Sequence, residues 1–357
     1  MKILAIETSC DETGASVVVK TPKNNYAEVL SNVVVSSLVL HSKTGGIVPE
    51  IAAREQVKYM IPVIKKALVE SNLYHPSSKV DILSSTIYRP DIDAIAVTTG
   101  PGLIGSLLVG IETAKTLAYI WNKPIIPVNH LLGHIYANFI ATISHEPSTI
   151  NFPALALLVS GGHTDLVLLE SHKKIKWIGG TLDDAAGEAF DKIGRLLNLP
   201  YPGGPAIEKA ATNGIANKFI FPRPMIGSKD FNFSFSGLKA AVLRETLKLK
   251  RLNKQQVCDI SLAVQKSIIE VLVKKTLIAS KKYNVKSVLL GGGVAANQNL
   301  RDKLELEIRN LKLEIPLFAP EKRLCTDNAA MIGAYACFNY KKKGFKDIAA
   351  NPELYLA

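Results

Sequence analysis

Two distant stretches of this chain repeat one pattern of apolar strand, short polar turn and apolar strand. The first reads KILAIE, TSCDETG, ASVVVK from the start of the chain, and the second reads ALALLV, SGGHT, DLVLLE over residues 154 to 170. Apolar runs on either side of a Gly-containing turn predict β-hairpins. A supersecondary unit that occurs twice predicts two related lobes, each opening on a strand pair.

A length of 357 residues leaves room for two cores, since a domain holds roughly 100–200 residues. Both turns are rich in Thr, Ser and Gly, whose hydroxyls and backbone N–H groups suit phosphate oxygens. The expected fold is therefore α/β, of the actin-like ATPase type (ASKHA), with two duplicated lobes around a nucleotide cleft. The expected N-terminal lobe is 1–135 with 330–350, the C-terminal lobe is 136–329, and 351–357 is a surface tail.

Gly100, Gly102 and Gly105 satisfy G-x-G-x-x-G after the strand DAIAVTT. A dinucleotide site also needs an acidic residue about 20 positions on, where this chain has KPIIPVNH, so these glycines are expected to allow close strand–helix approach. A second strand-to-glycine turn, SVLLGGG, precedes Asn297 at a helix start. Backbone able to approach so closely suits a flat or phosphorylated ligand, or simply a tight turn. Residues 71 to 93 read as an inserted loop.

No apolar run reaches the ~20 residues of a membrane-spanning helix, and Met1-Lys2 leads straight into a strand without a signal or transit segment. A cytoplasmic location with no membrane partner is expected. Cys10, Cys258, Cys325 and Cys337 are scattered, which predicts reduced and mostly buried thiols. A net charge of +12 favours a polyanionic partner. The basic residues cluster at Lys248, Lys250, Arg251 and Lys254, at Lys274, Lys275, Lys281 and Lys282, and at Lys341 to Lys343; solvated helix faces would have the same composition.

In VNHLLGHIYANF, His130 and His134 stand four residues apart, so on a helix both imidazoles project from one face and can chelate one cation. Leu131 occupies the position where a zinc peptidase carries its glutamate, which removes the main support for peptide hydrolysis. Such a pair alone is more often structural. Asp327, before an apolar helix, is either a helix cap or a distant third ligand. Two imidazoles and a carboxylate leave open positions suited to Fe(II) or Zn(II). In TLDDAAGEAFDK, Thr181 and Asp184 form a capping signature, and Asp184, Glu188 and Asp191 share one helical face.

These residues together resemble a known family. ETSCDETG, HSKTGGIVPEIAAREQ, TTGPGLIGSLLVG, NHLLGH, LVSGGHT, DDAAGEAFDK, YPGGP, FSFSGLK, GGGVAANQNLR and CTDNAAMIGA, in this order, are similar to the tRNA N6-adenosine threonylcarbamoyltransferases, formerly described as O-sialoglycoprotein endopeptidases. The resemblance implies transfer of threonylcarbamoyl from threonylcarbamoyl-AMP to N6 of adenosine 37 in tRNAs reading codons that begin with adenine. It implies one divalent metal per subunit, Fe(II) or else Zn(II), on His130, His134 and Asp327. It implies nucleotide contacts at Leu158, Val159, Ser160, Gly161, Gly162, Asp191, Gly204 and Asn297, with Asp11 and Glu12 as acidic residues of the first turn. The partners implied for a bacterial member are tRNA, a smaller paralogous actin-like subunit and a P-loop ATPase. The competing readings are a small-molecule kinase of the same fold and a non-catalytic scaffold paralogue; the histidine pair weighs against the second.

Overall fold

The computed structural model describes residues 1–42, 44–74, 89–141, 149–249 and 251–356. Most of the expected insertion, 75–88, lies outside the described residues, as does Lys250 of the first basic cluster. The chain forms two compact units, Met1–Ile150 with Thr326–Ala357, and Asn151–Cys325.

The first unit opens with β1 (Lys2–Glu7), β2 (Glu12–Val19) and β3 (Ala27–Ser36), followed by α1 (Leu38–Ser42), α2 (Pro49–Glu70), β4 (Ala94–Gly100), α3 (Ile104–Trp121), β5 (Ile125–Asn129), α4 (His130–Tyr136) and the short β6 (Ile140–Ala141). Its sheet order is β5-β4-β1-β2-β3-β6. β1 runs antiparallel to β2 and parallel to β4, with Ile3 opposite both Val18 and Ala94. The central β4 is buried along its whole length, as a parallel strand covered on both faces must be. Leu4, Ile6, Ile95 and Val97 pack against Leu107 and Ile111 of α3 and Met60 of α2.

The second unit repeats the plan with β7 (Ala154–Val159), β8 (Thr164–Ser171), β9 (Lys174–Gly180), α5 (Ala186–Leu196), α6 (Gly203–Ala211), α7 (Ser236–Lys248), α8 (Lys254–Lys282), β10 (Ser287–Gly291), α9 (Gln298–Asn310), β11 (Leu317–Phe318) and α10 (Lys322–Cys325). Its order, β11-β10-β7-β8-β9, matches β5-β4-β1-β2-β3 strand for strand, including the parallel and antiparallel senses. The duplicated hairpin of the sequence is thus the seed of two actin-like sheets. The long α8 starts at a capping box: Asn253 Oδ1 accepts from Gln256 N at 2.8 Å and Gln256 Oε1 accepts from Asn253 N at 2.9 Å.

The chain then returns to the first unit through α11 (Ala329–Phe338), an apolar helix buried on nearly every side. A Cβ at Gly333 would stand 2.5 Å from Val18 Cγ2 and 3.3 Å from Ala5 Cβ, so only glycine lets α11 lie this close to β1 and β2. The returning segment begins at Thr326, where 330 was expected, and the first stretch runs past the expected 135 to Ile150, taking in β6, which pairs with β3. Residues 351–356 are not a free tail. Asn351 N donates to Thr99 O at 2.8 Å, Gly102 N donates to Pro352 O at 3.2 Å, and Leu356 is buried.

Candidate metal centre and glycine-rich turns

The candidate metal centre is built by two helix starts. β5 ends at Asn129, whose side chain accepts from Leu131 N at 2.8 Å and Leu132 N at 3.4 Å, so α4 begins at His130 and places His134 one turn later on the same face. The cap of α11 is Asn328, which accepts from Met331 N at 3.1 Å and donates to Thr326 O at 2.8 Å. Asp327 therefore does not cap the helix, and its carboxylate turns to the histidines. Asp327 Oδ1 lies 3.1 Å from His134 Nε2 and 3.5 Å from His130 Nε2. One ligand atom from each of the three residues falls within 4.8 Å of the others, a group capable of holding a metal ion.

Packing fixes the two helices that carry these groups. Tyr136 of α4 meets Tyr335 of α11 edge-on at 5.0 Å between ring centroids, and Phe338 packs against Tyr136 and Phe139. A Cβ at Gly133 would come within 2.8 Å of Ile332 Cδ1, so the small residue admits α11.

A fully buried carboxylate sits behind His130. Glu7 Oε2 is 3.3 Å from His130 Nδ1 and accepts from Thr98 Oγ1, while Glu7 Oε1 accepts from Ser9 N at 2.6 Å. Ser9 Oγ is 3.1 Å from the same Nδ1. A carboxylate at Nδ1 holds the imidazole with its proton there and leaves Nε2 as the electron-pair donor, the arrangement that orients metal-ligating histidines. Burial opposes protonation of His130, but the Asp327 and Glu7 carboxylates outweigh it and hold its pKa up at about 9, so a cation at Nε2 would take the place of a proton. At His134 burial prevails and the pKa is lowered. Neither ring nitrogen of His134 has a hydrogen-bond partner of acceptable geometry among the described residues, although both are buried. A buried, unsatisfied imidazole nitrogen beside a carboxylate is a poor fit to a purely structural role and a good fit to a cation.

The acidic turn adjoins this group. Asp11 is buried and its main-chain oxygen accepts from Ser37 Oγ at 2.9 Å. Burial, then Asp327 and Asp11, push the Glu12 carboxyl up; burial and Asp327 push the Cys10 thiol up as well. All four cysteines are free and three are buried, as the spacing implied.

The glycine turns of the second unit converge on the β7–β8 loop. Leu158 and Val159 are buried in β7, Ser160 N donates to His163 O at 2.8 Å, and Ser160 Oγ accepts from His163 N at 3.1 Å. A Cβ at Gly187 would stand 2.4 Å from Ser160 O, and one at Gly292 would stand 2.4 Å from Val159 O. Gly292 also has φ +87, a conformation that favours glycine. Gly161 and Gly162, in contrast, face open space. Asp191 Oδ1 accepts from Gly203 N at 2.7 Å and so caps α6, beside Gly204; burial raises its pKa. Asn297 caps α9 by accepting from Leu300 N at 3.0 Å, and its Nδ2 donates to Gln265 Oε1 at 2.9 Å.

Several local expectations change. Thr181 and Asp184 do not start a helix: α5 begins at Ala186, whose N–H donates to Thr164 Oγ1 at 2.9 Å. The acidic stripe divides, because Lys192 Nζ binds Asp184 at 2.6 Å and Glu188 at 2.9 Å, leaving Asp191 with α6. Asp183, to which its sequence context assigns nothing, holds the start of α7 through Phe235 N at 2.8 Å and Ser236 Oγ at 2.8 Å. Motif and spacing likewise do not single out Glu7, Asn129 and Asn328. The two asparagines carry a readable signal, since each directly precedes an apolar helical run; Glu7 carries only that of a charge ending an apolar strand. Lys275 leaves the basic cluster: it is 1% exposed and bonded to Ser228 Oγ at 2.7 Å.

No helix among the described residues is long and apolar enough to cross a membrane. Comparison with solved structures finds HypF: full-length HypF in a phosphate- and nucleotide-bound form aligns with a TM-score of 0.58 and 12% identity, and T. kodakarensis HypF with 0.59 and 11%. At that identity the likeness concerns the fold, and the chain spans 46% and 48% of those two chains while 94% and 95% of it is covered. Among curated proteins, the tRNA N6-adenosine threonylcarbamoyltransferase of Syntrophomonas wolfei is 45% identical over 98% of this chain and 95% of its own length. That of Bacillus subtilis is 46% identical over 100% and 96%. The family model described as tRNA N6-adenosine threonylcarbamoyltransferase matches residues 28–334. With the full-length relatives, that match shows that the chain belongs to the tRNA N6-adenosine threonylcarbamoyltransferase family.

Proposed function

We propose that this transferase moves threonylcarbamoyl from threonylcarbamoyl-AMP to the N6 amine of adenosine 37 in tRNAs reading codons that begin with adenine. The observation that carries the reading is the group formed by His130, His134 and Asp327, inside a chain whose relatives are named tRNA N6-adenosine threonylcarbamoyltransferase. Two imidazole nitrogens and one carboxylate oxygen suit Fe(II) first and Zn(II) second. Such a cation, when bound, supplies Lewis-acid polarisation of the carbamoyl oxygen.

The chain's own residues do the rest. Glu7 and Ser9 fix the His130 ring through Nδ1, and Asn129 and Asn328 set the two helix starts that aim the three donor atoms. The AMP portion takes the backbone of Leu158, Val159, Ser160, Gly161 and Gly162, with Asp191, Gly204 and Asn297 around it; the open space at Gly161 and Gly162 leaves room for phosphate oxygens against backbone N–H groups. The adenosine amine attacks the carbamoyl carbon and AMP leaves, a reaction in which positioning of the two substrates supplies much of the rate. Asp11 and Glu12 line the same acidic turn, and no side chain is assigned as the amine's base.

The partners are tRNA, a smaller paralogous actin-like subunit and a P-loop ATPase. Val57 and Ile61 on α2, with Ile104 and Leu108 on α3, are exposed apolar side chains that a second actin-like subunit would bury. The test supplies threonylcarbamoyl-AMP, unmodified tRNA and the partner subunits and measures modified adenosine by mass spectrometry. Modified A37 is expected. Phosphorylated small molecules from ATP with no modified tRNA would replace this reading by that of a kinase.

A further inference from the structure

The KKKGFK run after α11 takes no part in the chemistry above. We propose that this run, together with the end of α3, is a docking surface for the tRNA substrate. Lys123, Lys341, Lys342, Lys343 and Lys346 meet phosphates, and the Tyr119–Phe345 ring pair stacks on an unpaired base; the proposal rests on the tRNA reading above.

The segment is held in place at both ends. Lys343 N donates to Ile125 O at 3.0 Å and adds an antiparallel bridge to the free edge of β5. Five residues on, Ile348 is buried in the core of the first unit, and Asn351 N is bonded to Thr99 O. Residues 341–347, on and around the first of these anchors, are all exposed. A surface fixed in advance loses little freedom when a ligand settles on it.

Charge and rings coincide here. None of the five lysines forms an ion pair among the described residues. Asp347 lies within the segment, and Asp91, which feels Lys123, is bonded to Lys2 at 2.7 Å. Tyr119 is 77% exposed and Phe345 45%, with ring centroids 6.4 Å apart at 64°. Blocking a free sheet edge accounts for a lysine at position 343, but not for three further lysines off the bridge or for a solvent-facing aromatic pair. Lysines that track a backbone beside rings that stack on bases are the two parts of single-strand and loop recognition in RNA.

The surface also lies at a workable reach. β5 joins it to the metal centre, since Ile125 takes the Lys343 bridge and Asn129 caps the helix bearing His130 and His134. Four steps at ~3.3 Å per residue span about 13 Å, well within the extent of a folded tRNA.

The experiment measures binding of unmodified tRNA to the full chain against salt concentration, and A37 modification with partners and threonylcarbamoyl-AMP present. The variant carries Lys341→Ala, Lys342→Ala and Lys346→Ala; a charge-matched control carries Lys173→Ala, Lys176→Ala and Lys286→Ala, all exposed and in the other unit. The first variant is expected to flatten the slope of log K on log[salt] by about 0.7–0.9 for each phosphate no longer neutralised, and Phe345→Ala to weaken binding about tenfold with the slope unchanged. Metal content and melting temperature should stay at wild-type values in both. Wild-type affinity and slope in the lysine variant, or an equal weakening in the control, would overturn the surface. Steep, KKKGFK-dependent binding without any modified adenosine would support the surface while sinking the transfer reading.

Discussion

The two units share a strand order and differ in what they do with the same turns. After β4, the Gly100–Gly102 turn is filled by the protein itself: a Cβ at Gly100 would stand 1.9 Å from Asn351 O, and one at Gly102 would stand 2.4 Å from Ser9 O. After β10, in the second sheet, the turn is mixed: a Cβ at Gly292 would stand 2.4 Å from Val159 O, whereas Gly293 has nothing within 4 Å of where a Cβ would be. The hairpin turns differ in the same sense. The β1–β2 turn buries Ser9 and Asp11 and hydrogen-bonds them to neighbours, whereas Gly161 and Gly162 of the β7–β8 turn face open space. A glycine-rich turn after a strand is therefore not by itself a ligand site; the first of these is a packing joint at both glycines, whereas the second packs at Gly292 and stays open at Gly293.

Substitutions can break or sharpen this contrast. The largest effect is expected from His130→Ala with His134→Ala, which should lower transfer by about 10²–10³-fold or more and abolish metal retention by elemental analysis while the fold persists; full activity in the folded variant would remove the metal from the chemistry. Gly100→Val should destabilise the first unit by about 3 kcal/mol, because it places a branched side chain on Asn351 at φ +152. The same change at Gly293 should leave thermal stability within ~0.5 kcal/mol of wild type and weaken adenylate binding instead, so equal melting losses at both positions would erase the distinction. Glu7→Gln should reduce metal affinity 10- to 100-fold in a competition titration, and an unchanged affinity would make the buried carboxylate a packing element only. Asn328→Ala should cost about 1 kcal/mol in denaturant unfolding through removal of the α11 cap, with a further drop in metal affinity if that cap is what frees Asp327.

The duplicated hairpins and the helical spacing of His130 and His134 are legible in the sequence because periodicity and spacing are local properties. Asp327 is ambiguous there for the same reason: next to Asn328 either residue can cap, and only the fold decides which side chain meets Met331 N. Thr181–Asp184 matches a capping signature, yet the helix begins later because Thr164, on another strand, satisfies Ala186 N. Glu7 is invisible since its partners Thr98 and His130 come from β4 and α4. The last residues read as a surface tail because nothing local reveals that Gly100 leaves room for Asn351.

Asp327 lies just past the point where the chain, having completed the whole second unit, re-enters the first. On a ribosome the two histidines therefore emerge well before the carboxylate that completes their triad. At about 5–20 residues per second, roughly 190 intervening residues delay it by on the order of ten to forty seconds. Throughout that interval the nascent chain carries only two of the candidate site's three donor residues, and a chain truncated before Asp327 never gains the third.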